Sequence, residues 1–150
     1  MDNNLTFGVN DSRLKYQCRE SSYAIIIDDN GYVATILTAK GSFLPGGGIE
    51  YGETPEECLL RELLEETGFA AEISHNLGKA QRYFVSPSNI PLLNIGNFFT
   101  ANLTKKVCAP IEDDHELKWV HLSEADHLFF HEHQLWAVKK ALSLNLRVKK

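Results

Sequence analysis

Apolar and polar positions follow two rhythms along this 150-residue chain. Residues 16–29, YQCRESSYAIIIDD, and residues 31–39, GYVATILTA, are β-rich and read as two strands. Between them Asp29, Asn30 and Gly31 form a hairpin signal, because Asn and Gly accept the left-handed backbone of a tight turn. Residues 41–53, GSFLPGGGIEYGE, are broken by Pro45 and by Gly46, Gly47, Gly48 and Gly52, and read as a loop. The rhythm then turns helical. Thr54 is an N-cap, Pro55 suits the first helical position, Glu57 completes a capping box and Gly68 is a stop. That predicts a helix over 55–67, with Leu59, Leu60, Leu63 and Leu64 on its buried side. Residues 70–86 read as one or two strands, 91–104 as another and 116–122 as a short one. Ser123, Glu124, Ala125 and Asp126 start a short helix, and a last helix covers about 131–144, with Leu135, Val138 and Leu142 inward. Strands, helix, strands and short helices in this order predict an α+β or α/β layered domain, helices packed on a mixed sheet.

Composition changes this picture little. At 150 residues, one domain spanning 1–150 is expected, with a core that needs no disulfides. The net charge of -5 argues against general binding to nucleic acid or to an anionic membrane, which needs a basic face. Cys18, Cys58 and Cys108 form no C-x-x-C spacing and are read as reduced thiols, and no signal pattern or membrane-length apolar run is seen. A cytoplasmic protein is the expectation. His131 and His133 stand two apart, poor metal spacing on a helix, and are read as surface or helix-start residues.

Charge placement changes it more. On the predicted helix Glu62, Glu65 and Glu66 are related as i, i+3 and i+4, so they share a face, with Arg61 at its edge and Glu53 just before the helix. The helix has no lysine. A solvated face normally mixes signs, and clustered carboxylates repel one another unless something positive compensates. One arginine cannot neutralise three or four of them, but a divalent cation can, and oxygen ligands favour Mg²⁺ or Mn²⁺. Gly46, Gly47 and Gly48 let backbone approach a ligand closely. A carboxylate-bound cation beside such a loop suits a diphosphate.

The same residues carry a resemblance. Gly47, five residues, Glu53, seven residues and then Arg61-Glu62-Leu63-Leu64-Glu65-Glu66-Thr67-Gly68-Phe69 match the Nudix box, with the aromatic Phe69 a mild variant. The chain resembles Nudix hydrolases of the MutT-like kind. The resemblance implies an α/β fold, an α/β/α sandwich with a mixed β-sheet flanked by helices. It implies hydrolysis of a nucleoside diphosphate linked to another moiety X. Glu65 and Glu66 would be principal metal ligands and Glu62 a further ligand or the base. Arg61 would orient Glu62, Glu53 would support the site, and a carbonyl of Gly46 or Gly47 could also ligate. An acidic residue after the box often assists; Glu112 is the first choice and Glu116 the second among Glu112, Asp113, Asp114 and Glu116. Trp119 is read as core. Arg19, Lys40 and Arg82 are candidate phosphate partners, and Tyr83 or Phe84 a candidate base stacker.

Within this reading a nucleoside triphosphate or oxidised nucleotide competes with ADP-ribose, nucleotide sugars and dinucleoside polyphosphates. A Nudix-fold nucleotide-binding regulator without catalysis and a metal-stabilised structural domain are the rivals. The resemblance also admits a homodimer.

Overall fold

The computed structural model describes residues 5–111 and 114–144. Its strands are β1 (Leu5–Phe7), β2 (Gln17–Ile25), β3 (Tyr32–Thr38), β4 (Gly41–Phe43), β5 (Gly46–Gly48), β6 (Phe69–Val85), β7 (Pro91–Lys106) and β8 (Glu116–His121). Its helices are α1 (Pro55–Thr67) and α2 (Glu132–Ser143), with a 3-10 turn at Leu122–His127. A five-stranded mixed sheet runs β1-β6-β7-β2-β5, and a three-stranded sheet runs β4-β3-β8. β2 lies parallel to β7, β6 antiparallel to β7 and β5 antiparallel to β2.

The run YAIII, the end of β2 and the two residues after it, is buried at every position because both faces of the sheet are covered. Tyr23 and Ile25 point to one face and meet Phe98, Ala137, Val138 and Ala141 under α2. Ala24 and Ile26 point to the other and meet Leu59, Leu63 and Phe99 under α1. This is the expected α/β/α sandwich. Each fully buried leucine of α1 contributes about 1.5–3 kcal/mol.

α1 begins and ends where the sequence places it. The Glu57 amide donates to the Thr54 hydroxyl at 3.1 Å, the Thr54 amide donates to Glu57 at 2.9 Å, and Gly68 closes the helix with φ 78°. Its buried side is rotated from the expected one. Leu59 and Leu63 are sealed, but Leu60 is 40 % exposed and Leu64 is half-buried. Cys58, Glu66 and Thr67 complete the buried face instead.

Other expectations also need correction. The 41–53 loop contains β4 and β5, whose glycines pair with β2 as a sheet edge. The 29–31 turn forms, with Gly31 at φ 85°, yet β2 and β3 part into different sheets after the single bridge between Ile27 and Val33. Residues 70–86 form one long strand, bent by register shifts, rather than two. β1, which adds in parallel to β6, has no counterpart in the sequence reading. On α2 the inward side is His133, Gln134, Ala137, Val138 and Ala141, with Leu135 and Leu142 half-buried. His131 and His133 do stand at the start of α2, but both are buried rather than at the surface. Trp119 is exposed on β8 rather than part of the core.

Candidate active site

β2, β5 and α1 build one wall of the site. The Ser22 hydroxyl donates to the Pro55 carbonyl at 2.8 Å and ties the start of α1 to the sheet. This places the β5 glycines against the helix face that carries the carboxylates. A methyl group on Gly47 would stand 2.5 Å from the Glu62 carboxyl carbon, so any larger residue would push that carboxylate aside. Gly46, at φ 146°, donates its amide to Glu66 Oε1 at 2.8 Å. Cys58 Sγ donates to the Gly47 and Gly48 carbonyls at 3.4 Å, and burial pushes its thiol up to about 11.

Arg61 organises the exposed side of this wall. Nε and Nη2 grip Glu53 at 2.6 and 2.9 Å, a two-point contact that fixes the fork. Nη1 reaches Glu62 at 3.1 Å and Glu65 at 3.3 Å, and Nη2 also donates to the Gly48 carbonyl. The Arg61 bonds hold the Glu53 carboxyl down at about 2, and Glu53 in turn raises the arginine. Glu66 lies on the other side of this network, 4 % exposed. Burial pushes its carboxyl well above the ordinary range, against the pull of the Gly46 amide and of His115.

The structure brings Glu53, Glu62, Glu65 and Glu66 together with Gly46 and Gly47. Glu112 lies outside the described residues. Glu116 is exposed at the start of β8, opposite Leu37, and does not line the cleft. His115 is the residue the sequence reading passed over: its Nδ1 lies 3.0 Å from Glu66 Oε2. Its signal was a histidine inside an acidic run, IEDDHE, where attention went to the carboxylates.

A cleft of about 700 Å³ opens from this wall across the α2 face of the sheet. Glu66, His115, Gly46, Gly47 and Gly48 line it on the β5 side, with Arg19 and Lys40 also in its lining. Phe43, Phe84, Asn94, Phe130 and His131 line it where β6, β7 and the start of α2 meet. Tyr83 points away and packs on Tyr16. Arg82 does not line the cleft. Its Nη1 donates to the Phe130 carbonyl at 2.8 Å and bonds His131 Nδ1 at 3.0 Å, while Nε lies 3.7 Å from Glu132.

The domain model for NUDIX matches residues 19–142. The chain belongs to the NUDIX family. Nudix hydrolase 21, chloroplastic, of Arabidopsis thaliana is 34% identical over 87 residues, 57% of this chain and 42% of that protein. A putative 8-oxo-dGTP diphosphatase of Bacillus subtilis (strain 168) is 51% identical over 39 residues, 26% of each chain. These alignments span less than half of either curated relative. Among solved structures, a MutT protein from Methanosarcina mazei Go1 is similar with a TM-score of 0.65 and 21% identity, over 88% of this chain and 98% of that one. That likeness bears on the Nudix fold alone.

Nudix hydrolases generally use divalent metal ions. The donor set here fits one: carboxylate oxygens of Glu62, Glu65 and Glu66 and glycine carbonyls of β5 are hard ligands, and Glu66 is a buried carboxylate short of positive charge. Among the described residues no three acidic, cysteine or histidine side chains already converge at coordinating distance. Arg61 bridges the outer carboxylates instead. No helix among the described residues is long and apolar enough to cross a membrane.

Proposed function

We propose that this Nudix domain hydrolyses a pyrophosphate bond in a nucleoside diphosphate linked to X, with Mg²⁺ or Mn²⁺ as cofactor. A nucleoside triphosphate or an oxidised nucleotide is the favoured substrate, and ADP-ribose, a nucleotide sugar or a dinucleoside polyphosphate is the alternative. One observation carries the reading: the β5 glycines lie against Glu62 and Glu66 at the edge of an open cleft. The name of the Bacillus subtilis relative, a putative 8-oxo-dGTP diphosphatase, is in keeping with the triphosphate branch. The acidic balance of the chain suits a small nucleotide better than a nucleic acid.

A bound divalent cation supplies charge neutralisation of the diphosphate and a more acidic water. Glu65 and Glu66 would hold it, with Glu62 either a third ligand or the group that would take the proton of the attacking water. Arg61 donates to Glu62 and aims it, and its grip on Glu53 sets its own position. Gly47 leaves the Glu62 carboxylate room beside the backbone. Arg19 lines the cleft, makes no ion pair among the described residues, and is placed to neutralise phosphate oxygens. The in-line arrangement of attacking and leaving oxygens is then a matter of positioning and charge.

The test is a substrate panel with Mg²⁺ or Mn²⁺: ordinary and oxidised nucleoside triphosphates, ADP-ribose, nucleotide sugars and dinucleoside polyphosphates, with products separated by chromatography. Metal-dependent cleavage of a pyrophosphate bond in one group is the expected result. Binding without cleavage across the panel would favour the regulator reading.

A further inference from the structure

The sheet ladders lay a row of polar residues across the cleft floor. Arg82 on β6 stands opposite Asn94 on β7, and Asn94 stands opposite Arg19 on β2, next to β5. Two strand steps at ~4.8 Å make this row roughly 10 Å long, and β5 lies one step further. The carboxylates stand at the β5 end. At the β6 end Arg82 reaches the cleft only through His131.

A guanidinium has donors and no acceptor. His131 Nδ1, 3.0 Å from Arg82 Nη1, must therefore present its lone pair, and the neutral ring carries its proton on Nε2. Among the described residues Nε2 meets no protein acceptor. The rings of Phe130, Phe84 and Phe43 surround His131 edge-on, at centroid distances of 4.8, 4.9 and 5.6 Å, and all three line the cleft. Asn94 Oδ1, across the ladder from Arg82, is buried without a hydrogen-bond partner. The β6 end is an aromatic slot with one fixed donor, His131 Nε2–H, while Asn94 Oδ1 is closed off from the cleft.

We infer that this end reads the substrate's base through His131, held by Arg82 as an Nε2–H donor. It takes bases that present a carbonyl to this donor (guanine, hypoxanthine, uracil) over the amino bases adenine and cytosine. An amino group facing the donor leaves two buried N–H groups without an acceptor. Arg82 is a positioning residue, not a phosphate ligand. The inference rests on the nucleotide reading of the cleft.

The experiment measures binding, so that it does not depend on turnover. Calorimetry compares GMP with AMP, and ¹⁵N NMR reads the His131 tautomer. The wild type should bind GMP at least about tenfold tighter and show Nε2 protonated. Arg82→Met should give mixed tautomers and bring the two affinities within about threefold, while Arg82→Lys restores most of the preference. His131→Phe, which keeps the aromatic packing, should also erase the preference and serves if Arg82→Met does not fold. Equal binding of AMP and GMP by the wild type, no binding of either, a proton on Nδ1, or an unchanged ratio in a folded variant overturns the inference. A wild type that prefers GMP but cleaves no substrate would remove the hydrolase reading and leave this one standing.

Discussion

The two helices bring polar groups to the sheet in opposite ways. α1 carries charges and shares one cation among them: Arg61 touches Glu53, Glu62 and Glu65 at a half-open edge. α2 carries neutral groups into the interior: His133 and Gln134 are fully buried, and both ring nitrogens of His133 lack a partner. A charge could not survive at the second place without pairing, whereas the carboxylates at the first supply the negative charge a divalent cation needs. The difference fits the proposed phosphate and metal chemistry on the α1 side and the proposed ring recognition on the α2 side.

The widest separation between the two regions should appear in acid. Burial holds His131 and His133 near 3, with Arg82 adding to the effect on each. In the unfolded chain both take up protons below their ordinary value of about 6.5. The folded chain does not, so stability is lost as pH falls from about 6.5 towards 3. Two protons give a slope of about 2.7 kcal/mol per pH unit at its steepest. Denaturant unfolding across this window should show it, and His133→Leu should roughly halve it. A slope unchanged by His133→Leu would break the comparison.

Packing under α1 separates next. Leu59→Ala should cost about 2–5 kcal/mol, and Leu60→Ala no more than about 0.5, in the same denaturant titration. Equal costs would restore the leucine face read from the sequence. A smaller effect is expected of Arg61→Met, which leaves Glu53, Glu62 and Glu65 without their shared partner. It should cost about 1–3 kcal/mol without metal, and Mg²⁺ should recover more stability in the variant than in the wild type.

The same contrast explains what the sequence disclosed. α1 was legible to the residue because Thr54, Pro55, Glu57 and Gly68 act locally. The acidic face was legible because helical spacing alone brings Glu62, Glu65 and Glu66 together. Leu60 misled because burial depends on how the helix seats on the sheet, and here Cys58 and Glu66 turn inward in its place. β5 looked like a loop because glycine carries no strand signal; its pairing with β2 is a tertiary fact. His115 and the Arg82–His131 contact join residues 49 positions apart in each case, beyond any local pattern. His133 looked like a surface residue because a buried neutral imidazole has no signature of its own.

The most direct test of the central claim is Glu66→Gln, with turnover on the best substrate of the panel and melting temperature measured on one preparation. The amide keeps the shape and can still accept from Gly46, but it cannot hold a cation as a carboxylate does. Turnover should fall by at least about 10²-fold. The melting temperature should hold or rise, because a buried carboxylate that burial disfavours has been removed. Turnover within threefold of the wild type, or a loss that tracks unfolding, would contradict the account.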